Sequence, residues 1–295
     1  MSGETNTSDR IEHIAPREAP GYWDREFAKV PQPLRALLLK AIAWAEGEKD
    51  ASLAVHGSIV MGGVDKFSDL DLSIASTSAS ALSAVTDSFG RFVSLQGDVL
   101  AHFKADHLRA EHTQIIYLDI DNWVVKFDVT IFAGGSEISL PPEALVIIDK
   151  GGVLTQAQRH SRPIPEVSIL FEKLCGWLWF TFSRLERGEV FAAARSIDFS
   201  REEALLPIIL ARLGLPQDGH RRLEQRLPKL LLDMLLGTHP ESLEPGAIFL
   251  ALAQLYKVTL LELEQSCVAQ RQELHNSMSQ MWKRICTIRE SFKNT

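Results

Sequence analysis

One stretch decides the fold of the first half of the chain, and it reads Gly57-Ser58-Ile59-Val60-Met61-Gly62-Gly63-Val64-Asp65-Lys66-Phe67-Ser68-Asp69-Leu70-Asp71. A Gly-Ser pair is followed, after ten residues, by Asp-Leu-Asp in apolar surroundings. Metal-assisted phosphoryl chemistry needs a backbone turn that can cradle a phosphate and carboxylates that can hold a cation. The stretch therefore predicts a phosphate and metal site on a small sheet.

Polar and apolar residues alternate over residues 69–74. Alternation with period two is typical of a strand, and it places Asp69 and Asp71 on one face while the aliphatic side chains enter a core. Two neighbouring carboxylates repel each other unless a cation lies between them. Since Mg²⁺ prefers oxygen ligands, the pair is predicted to bind metal; a solvated acidic face is the alternative.

The turn before this strand supplies the predicted phosphate contacts. Residues 53–56 are apolar enough to form a buried strand that ends at Gly57 and Ser58. Glycine allows close approach of the backbone to a ligand, and a helix that begins at Ser58 would offer free N–H groups to an anion. Lys66 lies near the same turn and is predicted to contact a phosphate, unless it is an ordinary solvated loop lysine.

A third acid, Asp128, lies in the middle of a later apolar run. Residues 114–120 and 123–132 flank Asp121-Asn122, which predicts a β-hairpin with a tight turn. Beside Asp69 and Asp71, Asp128 could bind a second metal ion or accept the proton of an attacking hydroxyl. Taken alone, it could equally be a surface acid.

These residues resemble the motif of the nucleotidyltransferase superfamily that includes DNA polymerase β. Gly57, Ser58, Asp69, Asp71 and Asp128 fill its positions. The chain is most similar to the bacterial lincosamide and aminoglycoside nucleotidyltransferases over roughly residues 30–270. Residues 144–154, with an Asp-x-x-Gly ending, and residues 184–189, with an Arg-Gly-Glu turn, add to that resemblance.

The resemblance implies a reaction, its cofactors and its site residues. A nucleoside monophosphate, AMP from ATP, would be transferred to a hydroxyl of a small molecule such as an antibiotic, and pyrophosphate would be released. Two Mg²⁺ ions would be held by Asp69, Asp71 and Asp128, with Asp128 as a ligand or general base. Gly57, Ser58 and Lys66 would bind the nucleotide.

Composition and charge narrow the partners. The chain has 295 residues and a net charge of −7, with 13 basic and 22 acidic side chains in residues 1–150 and 18 and 16 in the remainder. An acidic half disfavours nucleic acid, which needs a basic surface, and favours a cationic small acceptor by electrostatic steering. No apolar run is predicted to span a membrane, and three cysteines without metal spacing indicate a cytoplasmic protein.

The predicted fold class is α+β. A mobile arm is expected over residues 1–22, a catalytic domain with a small mixed sheet flanked by helices over 23–160, and a helical acceptor-binding bundle over 161–295. Residues 97–112 are predicted as a loop, and residues 220–236 are predicted as one helix of the bundle. Glu189 is a candidate for contacting the acceptor, although an acid at a helix start is also favoured by the helix dipole. A homodimer is compatible with the sequence.

Two other functions stay open from the sequence. A protein or RNA could be the acceptor, as in antitoxins that adenylylate their toxins, although the long helical half is unlike such minimal enzymes. A regulatory protein that binds nucleotide without turnover is the other alternative, but the retention of all three acids argues against it.

Overall fold

The structure is a computed structural model that describes residues 27–105, 113–159 and 166–293. The chain divides into two compact units, Met1–Ser161 and Arg162–Thr295. The predicted arm over residues 1–22 and residues 106–112 of the predicted loop lie outside the described residues. The first unit contains a mixed sheet with helices and the second is helical, which confirms the predicted α+β class.

The first unit is built on a six-stranded sheet. Its strands and those of a small two-stranded sheet are β1 (Ala51–His56), β2 (Leu70–Ser76), β3 (Asp98–Lys104), β4 (Thr113–Ile120), β5 (Trp123–Phe132), β6 (Ser139–Leu140), β7 (Leu145–Ile148) and β8 (Gln158–Arg159). The main sheet has the order β3-β4-β5-β2-β1-β7, and β6 pairs with β8. Strands β2 and β5 run parallel, and the other neighbours in the main sheet are antiparallel.

One face of the sheet is covered by helices. The helices of this unit are α1 (Gln32–Gly47), α2 (Ser58–Met61) and α3 (Leu82–Ser94), with a 3₁₀ turn at Ala79–Ala81. Alternation along β2 and β5 sends Leu72 and Phe127 into this helical core, where both are fully buried. Asp71 and Asp128, each adjacent in sequence to one of these core residues, therefore lie on the opposite face. The predicted strand alternation of residues 69–74 is confirmed from Leu70 onward.

The predicted hairpin is confirmed, and its turn explains its register. Asp121 and Asn122 have φ values of 54° and 63°, the left-handed geometry that a two-residue hairpin turn requires and that Asp and Asn tolerate. Strands β4 and β5 pair from Ile120 and Trp123 outward. The register set at this turn places Asp128 opposite Ile115.

The loop predicted over residues 97–112 is wrong for its first part, because β3 occupies Asp98–Lys104. This edge strand is exposed along most of its length, so its sequence has no alternation of buried and exposed residues to reveal it. An irregular pairing between Val99 and Ala101 disrupts the pattern further.

The second unit is formed by helices around its own core. They are α4 (Val167–Glu186), α5 (Val190–Ser200), α6 (Leu206–Arg212), α7 (Leu223–Arg226), α8 (Lys229–Leu236), α9 (Pro245–Gln265) and α10 (Arg271–Lys293), with a π-helical turn at Arg201–Leu205. The single helix predicted over residues 220–236 is wrong, because it is divided into α7 and α8. Pro228 precedes α8, and proline lacks the N–H that a continuous helix would use there.

Helix α9 corrects the prediction that no segment reaches the length of a membrane span. By length and composition alone it could cross a membrane. Core helices can have the same properties, and here Ile248, Leu252 and Val258 are buried in the helical core. Glu262 on the same helix is fully buried and paired with Arg212.

Candidate active site

The structure brings the three predicted acids together. Strands β2 and β5 are parallel and in register, with Asp71 directly beside Asp128, and Asp69 lies one residue before β2. One oxygen from each of the three carboxylates lies within 4.8 Å of the other two. All three side chains are half-buried, so they repel each other in a setting less polar than bulk water.

Gly57 is needed where the chain leaves β1. Its φ is 70°, in the left-handed region, and a Cβ atom there would lie 1.9 Å from Oδ2 of Asp71. Any other residue would therefore displace the carboxylate or the turn. This steric requirement explains why a glycine precedes the short helix α2 and faces the acids.

Two polar atoms at the site are buried and have no hydrogen-bond partner among the described residues. They are Oγ of Ser58 and Oδ1 of Asp128. Buried polar atoms normally find a partner, and a carboxylate oxygen beside two further carboxylates is a favourable ligand for a hard cation. The donor set of Asp69, Asp71 and Asp128 therefore fits a divalent ion such as Mg²⁺.

Lys126 is the cation that the structure places among these acids. Its Nζ lies 2.8 Å from Oδ2 of Asp128 and 3.1 Å from Oδ2 of Asp69. Burial of Lys126 would lower its pKa, but hydrogen bonds and charge attraction from Asp128 and Asp69 outweigh burial, so the pKa is raised. The ammonium is therefore charged at neutral pH and offsets part of the negative charge of the cluster.

His56 lies at the end of β1, directly across from Asp71. Its Nε2 is 3.2 Å from Oγ of Ser73, which is buried. Burial lowers the pKa of His56, against the opposing influence of Glu143, Asp128 and Asp69. A neutral imidazole held by Ser73 acts as a packing and orienting residue for the strand that carries the acids.

The other predicted site residues stand in different surroundings. Ser58 begins α2, as predicted. Lys66 lies at an exposed turn with its ammonium 4.8 Å from the ring centre of Phe67, and its role with nucleotide stays a prediction. In the helical unit, Glu189 accepts a hydrogen bond from Arg184 at 2.6 Å, and its role with the acceptor also stays a prediction.

Two contributors were missed from the sequence. Lys126 stands two residues before Asp128 on a strand, so the same alternation that placed Asp128 could have placed Lys126 on its face. Glu143 influences the pKa of His56 although it is distant from His56 in sequence. No spacing rule connects them, so only the fold could reveal that contribution.

Known proteins offer only a distant likeness. No protein-family model matches this chain, and no curated protein sequence matches it. Among solved structures it is similar to an aminoglycoside 6-adenyltransferase from Bacillus subtilis, with 11% identity, 84% of this chain and 97% of that chain covered, and a TM-score of 0.30. A nucleotidyltransferase-like protein from Exiguobacterium sibiricum 255-15 has 15% identity, 79% and 76% coverage, and a TM-score of 0.33. Such low values establish no function, which must be inferred from the residues of the site.

Proposed function

We propose that this protein is a Mg²⁺-dependent nucleotidyltransferase that moves AMP from ATP to a hydroxyl group of a small molecule. The observation that carries the proposal is the convergence of Asp69, Asp71 and Asp128 on one face of the sheet. The backbone of Gly57 packs against one of these acids with no room for a side chain. A solvated acidic face would need neither the convergence nor the glycine.

In the proposed reaction an acceptor oxygen attacks the α-phosphorus of ATP. The new oxygen–phosphorus bond forms as the bond to the β-phosphate oxygen breaks, and pyrophosphate leaves with that electron pair. The hydroxyl proton goes to a carboxylate, for which Asp128 is the candidate because its Oδ1 has no partner in the described part of the chain. Such a transfer depends on positioning and charge stabilisation more than on covalent help from the protein.

Asp69, Asp71 and Asp128 would hold the metal. When bound, Mg²⁺ would neutralise phosphate charge and favour ionisation of the attacking hydroxyl. The chain's own contribution is to fix Asp71 on β2 beside Asp128 on β5, with Asp69 one residue before β2. The N–H groups at the Gly57-Ser58 turn can hydrogen-bond phosphate oxygens, and backbone donors of that kind cost little reorganisation.

The acceptor is proposed to be cationic, such as an aminoglycoside or a related amino-sugar. Residues 1–150 carry 22 acidic and 13 basic side chains, an excess that attracts a cationic ligand and repels a polyanion. A cytoplasmic location is proposed with it, since Cys175, Cys267 and Cys286 are all free thiols.

The test is incubation of the purified protein with ATP and Mg²⁺ and a panel of aminoglycosides and lincosamides. We expect pyrophosphate release that depends on the acceptor, together with a gain of one AMP in the acceptor's mass. Asp69→Asn should abolish both signals while the far-UV circular dichroism spectrum stays unchanged. Equal rates in this variant and the natural protein would show that the acids have been misinterpreted.

The same assay separates the alternatives. Incorporation of labelled AMP into a protein or an RNA, without modification of any small molecule, would replace the proposed acceptor class but keep the chemistry. Binding of ATP without turnover of any nucleoside triphosphate would leave a regulatory protein.

A further inference from the structure

The ammonium of Lys126 contacts the cluster of acids formed by Asp69, Asp71 and Asp128. It donates hydrogen bonds to Asp69 and Asp128, the outer two of the three candidate ligands in sequence order. A lysine Nζ at hydrogen-bond distance from two ligand oxygens overlaps the space in which a cation shared by those oxygens would lie. Lysine and metal therefore compete for the same carboxylates.

We propose that Lys126 is a positioning residue that serves as the counter-cation of Asp69 and Asp128 whenever no metal ion is bound to them. It holds Asp69 and Asp128 in place against their mutual repulsion, and it weakens the binding of a divalent ion until it moves away. This inference rests on the proposed metal-dependent function and adds control of metal loading to it.

Three features of the cluster distinguish this role from that of a permanent ion pair. The ammonium contacts only two of the three clustered carboxylates, Asp69 and Asp128, each through one oxygen. Oδ1 of Asp128 is buried and without a hydrogen-bond partner among the described residues, so one lone-pair site awaits a ligand. Finally, the side chain of Lys126 is 29% exposed, and its long stem can carry the ammonium away without disturbing a packed core.

The decisive experiment measures Mn²⁺ binding to the nucleotide-free protein by electron paramagnetic resonance of free Mn²⁺. Lys126→Met removes the competing charge and should tighten Mn²⁺ binding by about tenfold, an effect expected for a partly exposed charge at hydrogen-bond distance. Lys126→Arg keeps the charge and should stay near the natural protein. Lys104→Met removes an equal charge from exposed strand β3 and controls for long-range electrostatics.

Thermal unfolding gives the second readout. Without metal, Lys126→Met should melt below the natural protein, because three carboxylates are left without their cation, and saturating Mn²⁺ should raise its melting temperature more than it raises that of the natural protein. If Lys126→Met does not fold, Lys126→Gln replaces it in both measurements with the same expected direction.

The outcomes separate this inference from the proposed function. Unchanged or weaker Mn²⁺ binding in Lys126→Met would overturn the inference; if the natural protein still transfers AMP, the proposed function survives. If the natural protein and Lys126→Met both bind no Mn²⁺ and no transfer occurs, both proposals are wrong.

Discussion

Two clusters of oppositely charged side chains, one in each unit, serve different purposes. In the helical unit, Arg212 donates two hydrogen bonds to Glu262, at 2.6 Å and 2.9 Å, and the carboxylate is fully buried. In the sheet-containing unit, Lys126 donates to Asp69 and Asp128, and all three side chains are partly exposed. In the first cluster one cation binds both oxygens of one acid, whereas in the second one ammonium binds single oxygens of two acids that lie beside a third.

The difference teaches how to separate a structural pair from a site. A planar guanidinium matches both oxygens of a carboxylate, which leaves little for a ligand to do. The lysine cluster keeps a buried carboxylate oxygen, Oδ1 of Asp128, that lacks a hydrogen-bond partner in the described ranges. A buried pair in which one cation matches one acid therefore indicates a structural role, whereas a partly exposed cluster of several acids indicates a binding place for a cation.

The largest test of this contrast is Asp71→Asn. The substitution keeps the size of the side chain and removes one negative charge from the cluster of Asp69, Asp71 and Asp128. We therefore expect AMP transfer to fall by about a thousandfold, with stability unchanged or improved because repulsion among the acids is reduced. Steady-state rates of pyrophosphate release and the melting temperature measure the two effects. Asp87→Asn, at an exposed position of helix α3, is the matched control, and a similar loss of rate there would show that the effect is not specific to the cluster.

The buried pair of Arg212 and Glu262 should respond in the opposite way, by losing stability when one charge is removed. Arg212→Met leaves the fully buried carboxylate of Glu262 without its cation, and loss of one partner of a buried pair costs about 3 kcal/mol or more of unfolding free energy. Chemical denaturation measures the loss. The double substitution Arg212→Met with Glu262→Leu should recover most of it, because an apolar pair of similar volume avoids the buried charge. Failure of the double variant to recover would mean that the pair does more than neutralise itself.

Gly57→Ala tests how closely the acids must be held. The added Cβ would overlap Oδ2 of Asp71, and alanine is strained at a φ of 70°. We expect AMP transfer to fall by about a hundredfold, since small displacements at a reacting centre have effects of that size. Gly90→Ala, in α3 where an added Cβ meets nothing within 4 Å, is the control. Natural rates in Gly57→Ala would show that Asp71 tolerates movement.

Much of the first unit was predictable because its signals are local. Alternation placed Asp71 and Asp128 on strands, and the Asp121-Asn122 turn fixed the hairpin that carries Asp128. Strand β3 could not be found this way, since exposure on both faces removes the alternation on which the prediction depends. Pro228 is the sequence signal for the division of the predicted helix into α7 and α8, because proline interrupts the helical pattern of the surrounding leucines.

The sequence predicts which acids form the site but not which lysine contacts them. Alternation on β5 places Lys126 beside Asp128, but a lysine near a predicted phosphate site suggested Lys66 instead. Which lysine reaches the acids depends on the parallel register of β2 and β5, a long-range property that no local pattern contains. The need for glycine at position 57 is of the same kind, because it comes from the close approach of Asp71 on a different element.

The smallest expected effect is the contribution of His56 to the pH dependence of stability. Burial is the chief reason that the pKa of His56 in the folded state lies below the ordinary histidine value of 6.5. As the pH falls below 6.5, the unfolded chain therefore takes up a proton before the folded one does. The stabilising contribution of the neutral imidazole is therefore present above pH 6.5 and is lost as the pH falls through the folded-state pKa. His56→Gln, measured in EDTA, should lose less melting temperature on acidification than the natural protein, by about 2 °C or less.

His102→Gln, at an exposed position on β3, is the control and should follow the natural protein over the same pH range. If His56→Gln follows it too, the buried imidazole of His56 is not the source of the acid sensitivity of this unit.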